Sequence, residues 1–153
     1  MKIEVVSLTP QIAVASKRTA VTMENIHEAI GEMSARLLSY LSQQGKGMSG
    51  PPYLKYMNMS PDFSEFDIEW GFPVEKPVPA SGEFYMSQTY GGRAIVATHK
   101  GPYSTLEEAY SAIMKYEREY ALKNTGVYYD VYLNDADETP EDELLTQVVC
   151  PIE

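Results

Sequence analysis

Residues 127–135 read VYYDVYLND, that is Val127, Tyr128, Tyr129, Asp130, Val131, Tyr132, Leu133, Asn134 and Asp135. Side chains leave a β-strand alternately to its two faces, so the stretch divides cleanly. Val127, Tyr129, Val131 and Leu133 make an apolar face of the kind that lies on a core. Tyr128, Asp130 and Tyr132 make the other, with a carboxylate between two tyrosines. A strand face turned to water does not need that arrangement, whereas the wall of a cation-binding pocket does.

Working outward, residues 124–126 (NTG) end a helix that precedes the strand. Ser104, with Glu107 three residues on, makes a capping box that opens this helix, which runs to about Lys123. Leu106, Tyr110, Ile113 and Tyr120 lie on or near one stripe of it, and Tyr116 packs beside Tyr120. Before it come strands at 83–90 and 93–98, with Gly91-Gly92 between them as a hairpin turn. After it come the acidic loop 135–143 (DADETPEDE) and a last strand at 144–152.

The first half repeats the pattern. Strands are predicted at 2–6 and 11–16. Thr22 caps a helix starting at Met23, in which Met23, Ile26, Ile30, Met33, Leu37 and Leu41 recur at spacings of three and four. Gly45 stops it. Strands at 53–59 and 66–74 follow, the second placing Asp67 and Glu69 on one face and Phe66, Ile68 and Trp70 on the other. Residues 75–82 (EKPVPASG) are the connector.

The halves also share residues. Val14-Ala15-Ser16-Lys17 matches Val96-Ala97-Thr98-His99, Tyr56-Met57-Asn58 matches Tyr132-Leu133-Asn134, and Pro73-Val74 matches Pro151-Ile152. Gly50 and Gly126 stand equally far before the matched tyrosines. These matches favour a duplicated unit, with repeat one at about 1–75 and repeat two at about 83–153 of a single domain. The fold class expected is α+β: tandem strand-helix-strand-strand units with pseudo-twofold symmetry, antiparallel sheets, two long helices and a ligand groove between the halves. In this alignment the counterpart of Asp130 is Leu54.

Composition narrows the function. The 153 residues carry a formal net charge of −10, most of it in residues 81–153, which hold 13 acidic and 5 basic side chains. No Lys/Arg cluster is available to displace counterions from phosphates, so direct DNA binding is not expected. No apolar run reaches membrane-spanning length and no leader is legible, which points to a soluble cytoplasmic protein without a membrane partner. The single cysteine, Cys150, lies in the run VVCPI and reads as a buried apolar residue rather than a catalytic thiol. His27 and His99 have no Cys, His or acidic neighbour at ligand spacing, so no metal site is predicted, and no cofactor. His99 is read as fixing the turn into the second helix.

Tyrosine is the compositional oddity: 12 of the 17 aromatic residues are Tyr. Tyrosine suits a wall that is apolar yet needs a polar rim, and its ring face attracts cations. Tyr56, Tyr110, Tyr128 and Tyr132 are the pocket candidates, followed by Tyr53, Tyr85 and Tyr103. Asp130 is either a solvent-facing or ion-paired strand residue or the anchor of the pocket. Trp70 is core or a stacking surface, and Glu69 is a second acid or the polar face of its strand. Met48, Met57, Met59 and Met86 would add adaptable apolar contacts or fill core.

His99-Lys100-Gly101-Pro102-Tyr103, the helix after it, and Tyr129-Asp130-Val131-Tyr132-Leu133-Asn134-Asp135 resemble the GyrI-like small-molecule-binding domain. That module is also the effector-binding domain of bacterial multidrug-sensing transcription activators. Residues 66–74 (FDIEWGFPV) resemble the matching first-repeat strand, and Thr139-Pro140 with Thr146 its C-terminal end. The family commonly has Glu where this chain has Asp130, which keeps the charge on a shorter arm. No helix-turn-helix segment precedes the domain, so the stand-alone form is expected. The resemblance implies a pocket for lipophilic, often cationic or planar aromatic molecules. Two other functions follow from it: a hydrolase of cyclopropane-containing DNA-alkylating natural products, with Asp130, Glu69 and Trp70 as catalytic residues, and a gyrase-inhibitor-like interaction module using loop 135–143.

Overall fold

In the computed structural model, which describes residues 1–153, strands and helices follow one another in the expected order. They are β1 (Ile3–Leu8), β2 (Ile12–Val21), α1 (Ile26–Gln43), β3 (Tyr53–Met57), β4 (Phe66–Pro73), β5 (Tyr85–Gln88), β6 (Gly92–Lys100), α2 (Glu107–Glu119), β7 (Tyr128–Tyr132) and β8 (Leu145–Pro151). The pairings are antiparallel and the class is α+β. No helix is long and apolar enough to cross a membrane.

Two compact units form: residues 10–89, and residues 1–9 with 90–153. The first holds α1 and a four-stranded sheet in the order β3-β4-β2-β5; the second holds α2 and a sheet in the order β7-β8-β6-β1. The units thus share one architecture, but their limits are not those of the sequence halves. β1 pairs with β6, and β5 pairs with β2, so each half gives its first strand to the other unit's sheet. Gly91-Gly92 is consequently not a hairpin turn. β5 and β6 alternate as the hairpin pattern requires, yet each finds its partner far away in sequence.

Strand register also corrects one of the repeat matches. Pro73 stands opposite Ala13 in one sheet and Pro151 opposite Ala94 in the other. Counting along each strand, Val14 therefore corresponds to Ile95 rather than to Val96. The match of Tyr56 with Tyr132 and of Leu54 with Asp130 agrees with the register. A one-residue slip matters because it moves every side chain to the other face.

Helix α1 forms where the spacing predicts and buries Ile26, Ala29, Met33, Leu37, Tyr40 and Leu41. Its start is later than expected: Asn25 is the N-cap residue and Met23 is 63% exposed, because residues 22–25 turn back through the Thr22 N–H donating to Asn25 Oδ1 at 2.9 Å. Its end is as expected. Gly45 takes φ +67°, and the N–H groups of Gly45 and Lys46 donate to the carbonyls of Ser42 and Leu41, closing the last turn.

The capping box predicted for the second helix does not form. Tyr103–Thr105 is a 3-10 turn, and α2 starts at Glu107 with no side-chain cap hydrogen bond. The helix stops at Glu119, leaving Tyr120 61% exposed, although its ring does meet Tyr116 at 4.4 Å. Ala109 and Ile113 of α2 pack on Ile95, Ala97, Val148, Cys150 and Ile152, which is the core of this unit. Cys150 is fully buried there, as its sequence context predicts.

Candidate functional site

Helix α2 decides which face of β7 is covered. β7 lies beside β8 with Asp130 opposite Val148 and Tyr132 opposite Thr146. Val148 belongs to the core under α2, so the face carrying Tyr128, Asp130 and Tyr132 is the helix-covered one. The apolar face of Val127, Tyr129, Val131 and Leu133, to which the alternation assigns the core, is the opposite one. Tyr129 on that opposite face is buried too, but Val131 is only partly buried and Leu133 is 41% exposed.

Asp130 is fully buried, at 0% exposure. The hydroxyl of Tyr110, reaching down from α2, donates to Asp130 Oδ1. Tyr128 meets Tyr110 edge-on at 6.0 Å, and Tyr103 meets Tyr132 edge-on at 5.5 Å. Burial and the nearby Asp130 charge push the Tyr132 hydroxyl well above the usual tyrosine range. Five of the predicted site residues, Asp130, Tyr103, Tyr110, Tyr128 and Tyr132, are therefore brought together in one unit. What they make is a carboxylate held in a dry aromatic environment, where its field is little screened.

Glu69 has a comparable setting in the other unit. Arg18 bonds Glu32 of α1 at 2.9 Å, which places Arg18 and Ser16, with their β4 partners Ile68 and Trp70, on the helix side. Glu69 and Gly71 project from the other side of β4. There Tyr53 and Tyr85 each donate a hydroxyl hydrogen bond of 2.8 Å to Glu69, and the Ser87 hydroxyl lies 3.1–3.2 Å from both carboxylate oxygens. Gly71 makes the cluster possible. A Cβ at that position would stand 2.5 Å from the Tyr53 ring, so only glycine lets that ring cross β4 and reach Glu69. The Tyr85 hydroxyl is pushed up by burial first and by the Glu69 charge second.

The remaining predicted residues, Trp70 and Tyr56, belong to the unit of residues 10–89. Trp70, 5% exposed, packs edge-on to Phe72 at 5.9 Å on the helix side, and Tyr56 meets Phe66 at 5.4 Å. Because β4 alternates, Glu69 and Trp70 face opposite ways and do not present themselves to one molecule from one side. Ser87 and Gly71 were not singled out in the sequence. An isolated glycine inside the strand pattern FDIEWGFPV was the available signal for a close approach; nothing local marked Ser87. An open depression of about 460 Å³ on α1, lined by Arg36, Tyr40, Glu83 and Phe84 among others, contains none of the predicted residues. No group of three or more His, Cys, Asp or Glu side chains is placed to hold a metal ion.

Several buried or partly buried acids here titrate late. Burial pushes the Cys150 thiol from 9.0 up to about 12, and Tyr85, Tyr103, Tyr128 and Tyr132 are raised as well. Raised groups hold their protons in the folded chain after the unfolded chain has released them. Their contribution is complete below the unfolded pKa, 9.0 for the thiol and 10.0 for the tyrosines, and is lost as pH rises toward the folded values. Denaturant unfolding should therefore show stability falling as pH rises above about 9. A stability that stays level through about pH 11 would contradict this.

The model of the GyrI-like small molecule binding domain family matches residues 1–153. No curated protein matches the chain. Among solved structures, the EcmrR C-terminal domain is similar with a TM-score of 0.84 at 15% identity, over 99% of this chain and 97% of that one. EcmrR in its DNA complex is similar at 0.81 and 16% identity, over 99% of this chain but 57% of that chain. SAV2435, solved with tetraphenylphosphonium bound, is similar at 0.67 and 12% identity, over 100% and 94%. A hydrolase from Listeria innocua is similar at 0.68 and 12% identity, over 99% and 92%. At these identities the likeness is one of fold.

Proposed function

Since the chain belongs to the GyrI-like small-molecule-binding family, we propose that it binds lipophilic, cationic aromatic molecules, in multidrug sensing or sequestration, with Asp130 as anchor. The observation that carries the reading is the fully buried carboxylate among tyrosines under α2, at the position where the other unit has Leu54. A unit that only had to fill its core would do as well with leucine, which needs no hydrogen bond and no desolvated charge. The tyrosine faces and the carboxylate act together on a delocalised cation, which gives up little hydration on entering.

The likeness to SAV2435 supports the ligand class, because that protein was solved with a lipophilic cation. The net charge of −10 argues against contacts to nucleic-acid phosphates. The test uses two ions of one shape and opposite charge, tetraphenylphosphonium and tetraphenylborate. Calorimetry is expected to show micromolar binding of the cation and none of the anion. Equal binding of both would sink the carboxylate-anchor reading.

A further inference from the structure

His99 lies on the same helix-covered face as Asp130, one rung along the sheet. The register sets His99 opposite Thr146 and Thr146 opposite Tyr132, a row across β6, β8 and β7. The adjoining row is Ala97, Val148 and Asp130. His99 is 2% exposed and Thr146 is 0% exposed. His99 Nδ1 and Thr146 Oγ1 are both buried without a hydrogen-bond partner. Buried polar atoms are nearly always paired, so two on facing residues are a signal.

The hydrogen bonds around the ring determine what His99 Nδ1 is. The Thr105 hydroxyl donates to the Pro102 carbonyl at 3.0 Å, which uses its one hydrogen. His99 Nε2, 3.0 Å from the same Thr105 oxygen, must then be the donor in that contact. With the proton on Nε2, Nδ1 of the neutral ring carries a lone pair and is an acceptor. Thr105 thus holds the tautomer, and the Thr146 hydroxyl on the facing residue, which carries two lone pairs besides its hydrogen, offers a second acceptor. The other unit shows what a purely structural version of the row looks like. Its counterparts, by register, are Arg18, Ile68 and Tyr56, with a fully buried isoleucine in the Thr146 place.

We propose that His99 Nδ1 and Thr146 Oγ1 form an acceptor pair for an N–H group of the cation that Asp130 anchors. The site then prefers protonated amines and amidinium ions over quaternary ammonium or phosphonium ions. The proposal rests on the Asp130 reading above and adds a rule of selectivity to it. Thr146 is the diagonal neighbour of Asp130 across adjacent strands, about 7–8 Å away, and His99 stands one strand farther on the same row as Thr146, so a headgroup with several N–H bonds is needed to meet the anchor and the pair together. A quaternary cation satisfies the carboxylate by charge but leaves both acceptors unmet.

The test compares 2-naphthylmethylammonium, which has three N–H bonds, with trimethyl(2-naphthylmethyl)ammonium, which has none. Both are titrated into the parent protein and into Thr146→Val, which keeps the shape of the side chain, and Asp130→Asn. The parent is expected to bind the N–H ion about tenfold more tightly, and Thr146→Val to narrow that ratio several-fold while leaving the affinity for the trimethyl ion unchanged. The His99 Nδ1 nitrogen resonance should shift on adding the N–H ion and not on adding the trimethyl ion. Equal affinities in the parent, with Asp130→Asn weakening both, would overturn the acceptor pair and leave the anchor standing. A preference that survives Thr146→Val with Nδ1 unmoved would overturn it as well, and failure of both ions to bind the parent would overturn both readings.

Discussion

Replacing Asp130 with Asn is expected to weaken tetraphenylphosphonium binding tenfold to a hundredfold. The amide has nearly the size of the carboxylate, and its oxygen still accepts the hydrogen bond that Tyr110 donates. The change therefore removes a charge and little else. Interactions with a charged group in a dry site are worth about 1.5–3 kcal/mol, which sets the tenfold to hundredfold range. Calorimetry at constant ionic strength reads it, and an unchanged dissociation constant would remove Asp130 from the site.

Glu69→Leu is expected to cost stability instead, by about 3 kcal/mol or more. Leucine deprives Tyr53, Tyr85 and Ser87 of their shared acceptor in one step. A buried donor left without a partner costs about 1–3 kcal/mol, and Tyr53, at 1% exposure, has no route to water. Tyr85 and Ser87 are only partly buried and contribute less. Glu69→Gln should cost about half as much, because its carbonyl oxygen still accepts and its amide group can donate to a hydroxyl oxygen. Denaturant unfolding separates the two variants. If Glu69→Leu unfolds within 1 kcal/mol of the parent, about the worth of a single net hydrogen bond, the hydroxyl cluster is not structural.

The contrast between these acids explains why the sequence ranked them as it did. Both sit in alternating strands beside aromatic residues, and that local pattern is the whole of the sequence signal. Asp130 was legible as an acid between tyrosines, and Tyr110 as a residue on the inner stripe of its helix. Glu69 reads two ways in the sequence because Tyr85 and Ser87 arrive from β5, which reaches β2 only through a pairing distant in the chain. Trp70 looked like a neighbour of Glu69 and turns away from it, as alternation along β4 already required.

By itself the sequence determined the α+β class, the order of the elements, the stripe of α1 and its stop at Gly45, the burial of Cys150 and the family. These follow from periods of 2.0 and 3.6 residues and from backbone preferences, which act within a few residues. Tertiary structure alone decided that β1 and β5 change places between the sheets, and that α2 lies on the Asp130 face of β7. It alone buried His99 Nδ1 and Thr146 Oγ1 without partners on facing residues of β6 and β8. Period two states that the faces of a strand differ; it does not state which face a helix will cover. That choice is made by packing between segments far apart in the chain, and so is the choice of a strand's partner.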